Sequence, residues 1–268
     1  MGGKRAGGID LRDAGVVVTG AGSGIGAALA RRFAAEGARL VVNDLDGAAA
    51  ARVADEVGGL AVAGDASTED GVAALVAAAR THLGEIDLFC ANAGIEPGGG
   101  VDTAEEVWER VWQVNVMSHV RSARALLGPW LERGRGHLLA TVSAAGLLTH
   151  LDSASYSVTK HGSLAFAEWL AATHGDKGIT VQVLCPQGVR TEMYERSDAS
   201  AKAVLGGAVL EPEEVAASVM EGLADGRFLI LPHPEVRDHY ALRATDTERW
   251  LGGMRKLRRR IEELSRTS

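Results

Sequence analysis

Short apolar runs alternate along the chain with stretches of helical spacing. Val16 to Thr19 is a first run of strand length, and helical spacing from Ile25 to Glu36 follows, closed by Gly37. The alternation then repeats. Arg39 to Asn43 reads as a strand and Gly47 to Val57 as a helix. Leu60 to Ala63 reads as a strand, Thr68 to Leu83 as a helix and Ile86 to Cys90 as a strand. A long helix is predicted from Ala104 to Glu132, with a kink at Pro129. Gly136 to Val142, Ile179 to Cys185 and Phe228 to Leu231 complete the strands, separated by helices from Ser155 to Gly175 and from Glu213 to Ala224. The strand runs are continuously apolar rather than alternating, which a parallel sheet covered on both faces requires. The pattern predicts one doubly wound α/β domain with a seven-stranded parallel sheet, its core over residues 10–231 and a C-terminal extension over 232–268.

Composition sharpens this picture without changing it. The 268 residues are 46% hydrophobic and 24% charged, sufficient for a real core, and aromatics are scarce at 4%, so Ala, Val, Leu and Gly do the packing. A net charge of −7 opposes a general nucleic-acid footprint. The exception is the tail from Arg249 to Ser268, with seven Arg or Lys against two Glu, which reads as a solvated helix face or as a contact with an acidic partner or neighbouring subunit. Cys90 and Cys185 each end an apolar run and read as buried small hydrophobes, so neither a metal site nor a disulfide framework is expected. That suits a reducing cytoplasm. Met1 to Asp13 has no apolar stretch of signal-peptide type, Ala6 spoils a myristoylation motif at Gly2, and no apolar run is long enough to span a membrane.

The first strand runs into Gly20-Ala21-Gly22-Ser23-Gly24-Ile25-Gly26 and then a helix. Glycines there allow a tight turn and a close backbone approach to a pyrophosphate lying at a helix N-terminus. A glycine trio alone is weak, but strand before, helix after and an acidic residue ending the second strand form the confirming context. That residue is Asp44, eighteen positions after Gly26; its carboxylate can hold ribose hydroxyls and repel a 2′-phosphate. With Leu45 next and a neutral Ser23 in the loop, NAD is expected rather than NADP. The competing role for Asp44, a helix N-cap, fits Asp46 better.

Tyr156 and Lys160 are four apart in helical spacing and share one face. A phenol titrates near about 10, and an adjacent ammonium lowers that value, so the pair is a sensible acid/base unit. Such a pair also arises by chance on solvated helices. Its neighbours give it weight: Ser143 ends the fifth strand, Asn92-Ala93-Gly94 follows the fourth, and ligands of open α/β sheets bind outside the carboxyl ends of the strands. Asn115 lies inside a helix, where Asn is mildly unfavourable and invites a functional reason.

Together these residues resemble the short-chain dehydrogenase/reductase family, with its Rossmann fold. The resemblance covers Asp10 to Leu231 and rests on Thr19-Gly20-x-x-x-Gly24-x-Gly26, Asp65, Asn92-Ala93-Gly94, Asn115, Ser143, Tyr156-x-x-x-Lys160 and Pro186-x-x-Val189-x-Thr191. It implies that Tyr156 is the general base for alcohol oxidation and the acid for ketone reduction. Lys160 would bind the nicotinamide ribose and lower the Tyr156 pKa, Ser143 would orient the substrate oxygen, and Asn115 would hold a water of a proton relay. Asp65 and the Ala66 amide would contact adenine, Asn92 would sit by the adenosine ribose and stabilise the sheet, Val189 and Thr191 would hold the carboxamide, and Ala93, Gly94, Pro186 and Gly188 would also border the cofactor. One departure stands out: Gln187 follows Pro186 where the family places glycine, which is expected to reshape the pocket without abolishing activity. The segments implied to line the substrate pocket hold Glu96, Leu147, His150, Gln187, Met193 and Tyr194, a mostly apolar set that suggests a moderately bulky, apolar secondary alcohol or ketone. Residues 192–207 resemble the family's mobile substrate loop, though an ordinary surface helix fits as well. The resemblance also implies that the helices carrying Trp108, Trp112 and Trp169 pair between subunits, giving a homotetramer or homodimer. An NADP-dependent reductase and a non-catalytic dinucleotide-sensing protein are the alternatives.

Overall fold

The computed structural model describes residues 8–196 and 209–267. The strands are β1 (Gly15–Thr19), β2 (Arg39–Asp44), β3 (Leu60–Ala63), β4 (Leu88–Ala91), β5 (Gly136–Thr141), β6 (Ile179–Leu184), β7 (Gly188–Val189), β8 (Val209–Leu210) and β9 (Leu229–Ile230). Seven of them form a parallel sheet in the order β3-β2-β1-β4-β5-β6-β9. The order reverses between β1 and β4, the crevice where open α/β sheets bind ligands.

Both faces are covered, as the unbroken apolar strands require. On one face Val16 and Val18 pack with Leu29 and Phe33 of α1 (Gly24–Ala35), Val53 of α2 (Gly47–Val57) and Val219 of the helix over Pro212–Asp225. On the other, Val17 packs with Val76 of α3 (Glu69–Leu83), with Leu126 of the helix Ser118–Glu132 and with Leu164 of the helix Ala154–His174. Successive β1 side chains thus enter two different cores.

Three features depart from the sequence expectation. The long helix predicted over 104–132 is divided: α4 (Glu105–Trp112) passes through a π-helical turn at Gln113–Met117 into α5 (Ser118–Glu132), and Pro129 lies inside α5. The extra residue of that turn falls at Asn115, so the interruption the sequence placed at Pro129 occurs at a candidate site residue instead. A second small sheet, β7 with β8, lies beyond the carboxyl end of β6. The extension forms two helices, which follow the remaining ones: α6 (Ala144–Leu147), α7 (Ala154–His174), α8 (Glu192–Glu195), α9 (Pro212–Asp225), then α10 (Glu235–Thr245) and α11 (Thr247–Thr267). The expected substrate loop falls mostly outside the described residues, which resume at β8.

No helix among the described residues is long and apolar enough to cross a membrane, and none of their His, Cys, Asp and Glu side chains cluster to hold a metal ion.

Candidate active site

The glycine loop is shaped for something to lie against its backbone. Gly20 and Gly24 have φ of +60° and +52°, in the left-handed region that side chains disfavour. A Cβ on Gly26 would stand 2.3 Å from the Gly20 carbonyl and 2.6 Å from Asn92 Nδ2. Ser23 is the N-cap of α1, yet its side chain makes no capping hydrogen bond, which leaves the first-turn amides to another acceptor. Ile25 is half-buried in that first turn. Asp44 Oδ2 accepts the Gly22 N–H at 2.8 Å and Oδ1 accepts the Asp46 N–H at 3.0 Å, so the carboxylate is fixed beside the loop. Asp46, as expected, caps α2 through the Ala48 and Ala49 amides. This cradle, an open helix N-terminus with an anchored carboxylate at the end of β2, fits a dinucleotide.

Asn92 works as a knot at the switch point. Its Nδ2 donates to the carbonyls of Thr19 and Gly20 at 3.0 and 3.2 Å, and its Oδ1 accepts from Thr141 Oγ1 at 3.0 Å. Thr19 Oγ1 in turn accepts the amides of Asn92 and Ala93. One side chain therefore joins β1, β4 and β5 at their carboxyl ends. Asn92→Ala leaves buried partners unsatisfied and is expected to lower unfolding stability by about 1–3 kcal/mol, measurable by denaturant titration. Asp65 Oδ1 accepts the Ser67 N–H, and Oδ2 pairs with Arg110 at 3.1 Å. Arg110 also donates to Ser67 Oγ, and Arg121 donates to the Ser67 carbonyl. Two arginines thus hold the Asp65-Ala66-Ser67 turn in shape.

Tyr156 and Lys160 lie one turn apart on α7 and are both buried. Lys160 Nζ donates to the Thr141 carbonyl at 3.0 Å and stands 5.5 Å from the centre of the Tyr156 ring. Gly94 makes room for this: a Cβ there would be 3.3 Å from Lys160 Nζ and 3.4 Å from Asn115 Oδ1. Asn115 clamps the segment after β4, its Oδ1 accepting the Ile95 N–H at 2.9 Å and its Nδ2 donating to the Ile95 carbonyl and Thr159 Oγ1. Both Nδ2 hydrogens are used in that clamp.

Electrostatically the pair departs from the expectation. Burial pushes the Tyr156 phenol up to about 12, partly offset by the nearby Ser143 hydroxyl and reinforced by the negative Glu96. Burial likewise pulls the Lys160 ammonium down to about 8. A lowered phenol was expected; in this structure desolvation outweighs the lowering by Ser143. Ser143 caps α6 by accepting the Ala145 N–H at 3.1 Å, which fixes its hydroxyl at the end of β5 facing Tyr156.

The segments implied to form the substrate pocket divide. Glu96 is half-buried and accepts the Gly98 N–H at 2.9 Å, holding its own loop. His150 packs edge-on against Tyr156 with ring centres 6.1 Å apart. Gln187 is exposed at the mouth, and Met193 and Tyr194 lie on α8, which Thr191 caps through the Tyr194 N–H. Leu147 is a correction: its side chain is fully buried in the core with Leu164 and Val181, because α6 turns it inward. Thr191 sits against the glycine loop, 3.0 Å from a Cβ placed on Gly24, so the carboxyl end of β6 and the loop after β1 face each other. Pro186, Gly188 and Val189 are buried.

Sequence reasoning missed Thr141, whose contact with Lys160 is through its backbone carbonyl and so leaves no residue signature. It also missed His233, Arg243 and Arg258 of the extension. Arg243 donates to the Leu147 carbonyl and to His161 Nε2, and Arg258 pairs with Asp152 at 2.7 Å, so α10 and α11 brace the segment after β5.

With this geometry in view, the likeness to known proteins is specific. The family model of short chain dehydrogenases matches residues 14–202. A 1-deoxy-11-beta-hydroxypentalenate dehydrogenase from Streptomyces exfoliatus is 39% identical over 236 residues, covering 85% of this chain and 86% of the relative. A meso-2,3-butanediol dehydrogenase from Serratia marcescens is 34% identical over 218 residues, covering 78% and 86%. The crystal structure of a short-chain dehydrogenase/reductase from Burkholderia phymatum in complex with NAD superposes with a TM-score of 0.82 at 30% identity, covering 90% of this chain and 96% of that one. A parallel sheet with a glycine cradle at its switch point, a buried Tyr-Lys pair beside it and these relatives lead to one conclusion: the chain belongs to the short-chain dehydrogenase family.

Proposed function

We propose that this chain is an NAD-dependent dehydrogenase that oxidises a secondary alcohol, or reduces the matching ketone, with Tyr156 as its proton-transfer group. The observation that carries the reading is the convergence of Ser143, Tyr156 and Lys160 at the carboxyl ends of β4 to β6, next to a cradle that fits a dinucleotide. The nicotinamide, when bound, supplies the hydride acceptor or donor. The protein supplies position and protons. The Ser143 hydroxyl, fixed by the Ala145 amide, orients the substrate oxygen, and Tyr156 takes or gives its proton. Lys160, anchored on Thr141, holds a positive charge beside the phenol and would bind the nicotinamide ribose. Asn115 keeps the wall after β4 in place.

The carboxylate of Asp44 supports NAD: it is fixed at the end of β2, where a 2′-phosphate would meet a negative charge. The NAD complex of the Burkholderia relative agrees. Asp44→Ser is expected to lower kcat/KM for NAD by about 10- to 100-fold, the worth of a hydrogen bond to a charged group, and to narrow the preference over NADP. Relatives named for a pentalenate and a butanediol support an alcohol substrate, and Met193 with Tyr194 supports an apolar one. Exposed Trp112, Val158 and Trp169 on α4 and α7 support assembly through these helices into a homotetramer or homodimer. The cytoplasm is the proposed location.

The test is NADH production from secondary alcohols, hydroxysteroids and sugar alcohols, with NAD and NADP side by side. Turnover with NAD is the expected result; a clear preference for NADP overturns the reading of Asp44.

A further inference from the structure

The extension carries one residue aimed at the nicotinamide side of the site. Strands β6 and β9 end side by side at the sheet edge, the Cys185 N–H donating to the Ile230 carbonyl at 2.9 Å. Pro186-Gln187 and Pro232-His233 then leave the edge together. Prolines on both sides of His233 limit the backbone there, and the His233 carbonyl accepts the Val236 N–H at 3.2 Å at the start of α10. The His233 side chain is buried at 2% exposure, and its Nδ1 accepts the Gln187 N–H at 3.1 Å. That acceptor role puts the ring proton on Nε2.

The backbone on either side of Gln187 is tied elsewhere. The Pro186 carbonyl accepts the Ala144 N–H at 2.8 Å, next to Ser143, and Gly188 and Val189 pair with Val209 and Leu210. The Gln187 amide therefore takes its acceptor from a side chain 46 residues away, outside the span that the family model matches. We infer that His233 is a positioning residue that fixes the Pro186-to-Val189 turn, and with it the nicotinamide half of the cofactor site, through the Gln187 amide. The inference rests on the dinucleotide reading of the site. His233 touches none of the reacting atoms; it sets where the turn stands relative to Ser143 and to the glycine loop. The glycine cradle is built by β1, α1 and β2 and does not depend on it.

This asymmetry gives the test. Kd values for NADH and for ADP-ribose, which lacks the nicotinamide, are measured by calorimetry on the full chain. His233→Leu is expected to weaken NADH by about tenfold, the worth of one buried hydrogen bond, while ADP-ribose stays within about twofold. His233→Asn, which offers an acceptor oxygen near the Nδ1 position, is expected to recover most of the NADH affinity. Equal weakening of both ligands, or no weakening of NADH, overturns the inference. If the wild-type chain binds neither ligand, the dinucleotide reading fails and this inference with it; if it binds NADH and His233→Leu changes nothing, only the inference fails. Should His233→Leu not fold, amide exchange of the wild-type chain decides. The Gln187 N–H is expected to exchange slowly before any cofactor is added, and fast exchange overturns the assignment.

Discussion

Tyr156→Phe is expected to lower turnover by about 10²- to 10⁴-fold while NADH binding stays within about threefold of wild type. The substitution removes one oxygen from a buried side chain and leaves its ring against His150 and Lys160. The cradle at Gly20 to Gly26 is built by other elements, so affinity for the dinucleotide has no reason to fall. Stopped-flow turnover and calorimetric binding on the same preparation separate the two effects. The loss has a clear physical origin. Burial holds the phenol at about 12, so a proton leaves it only when nearby charge favours the phenolate, and Phe has no proton to exchange. A variant retaining turnover within tenfold of wild type sinks the assignment of Tyr156 as the acid/base group.

Lys160→Met is expected to cut turnover by a similar order and to raise thermal stability at neutral pH. The ammonium is buried, and its folded pKa of about 8 lies below the ordinary value of 10.5. Between those two values the unfolded chain binds more protons than the folded one, so stability rises as pH climbs through that interval. Below about 8 the cost of burying the charge is present in full. Met fills the space without a charge, which returns about 1–3 kcal/mol at pH 7 after allowing for the lost bond to the Thr141 carbonyl. Unfolding scans of both proteins at pH 7 and pH 10 check the sign: the gain should be larger at pH 7. A variant that is less stable at pH 7 would mean that the Thr141 bond outweighs desolvation. Opposite effects on activity and stability are the signature of a strained functional site, and a structural lysine would not show them.

These outcomes bear on how the extension relates to the rest. Helices α10 and α11 were legible in the sequence only as a charged, helix-like stretch, yet they reach the segment after β5 through Arg243 and Arg258 and the turn after β6 through His233. The segment after β5 and the turn after β6 are thus held partly by residues outside the strand-helix repeat. Gln187 illustrates the same point. Its side chain was read as a change in pocket shape, and the structure adds that its backbone amide is the link to His233.

By itself the sequence determined the alternation of strands and helices, the parallel sheet and the positions of Gly20, Gly24, Asp44, Tyr156 and Lys160. Each is written locally: an unbroken apolar run such as Val16-Val17-Val18 can only be buried on both sides, and a tyrosine four residues before a lysine shares its helix face. Tertiary structure decided the π turn at Asn115, the inward orientation of Leu147, the Thr141 carbonyl under Lys160 and the reach of His233 to Gln187. Periodicity states that a position is buried but not which neighbour it meets, and a backbone carbonyl carries no residue identity. The direction of the Tyr156 shift was misjudged for the same reason. Burial raises that phenol and the Ser143 hydroxyl lowers it, and only the depth of burial, set by helices and strands distant in the chain, settles which one wins.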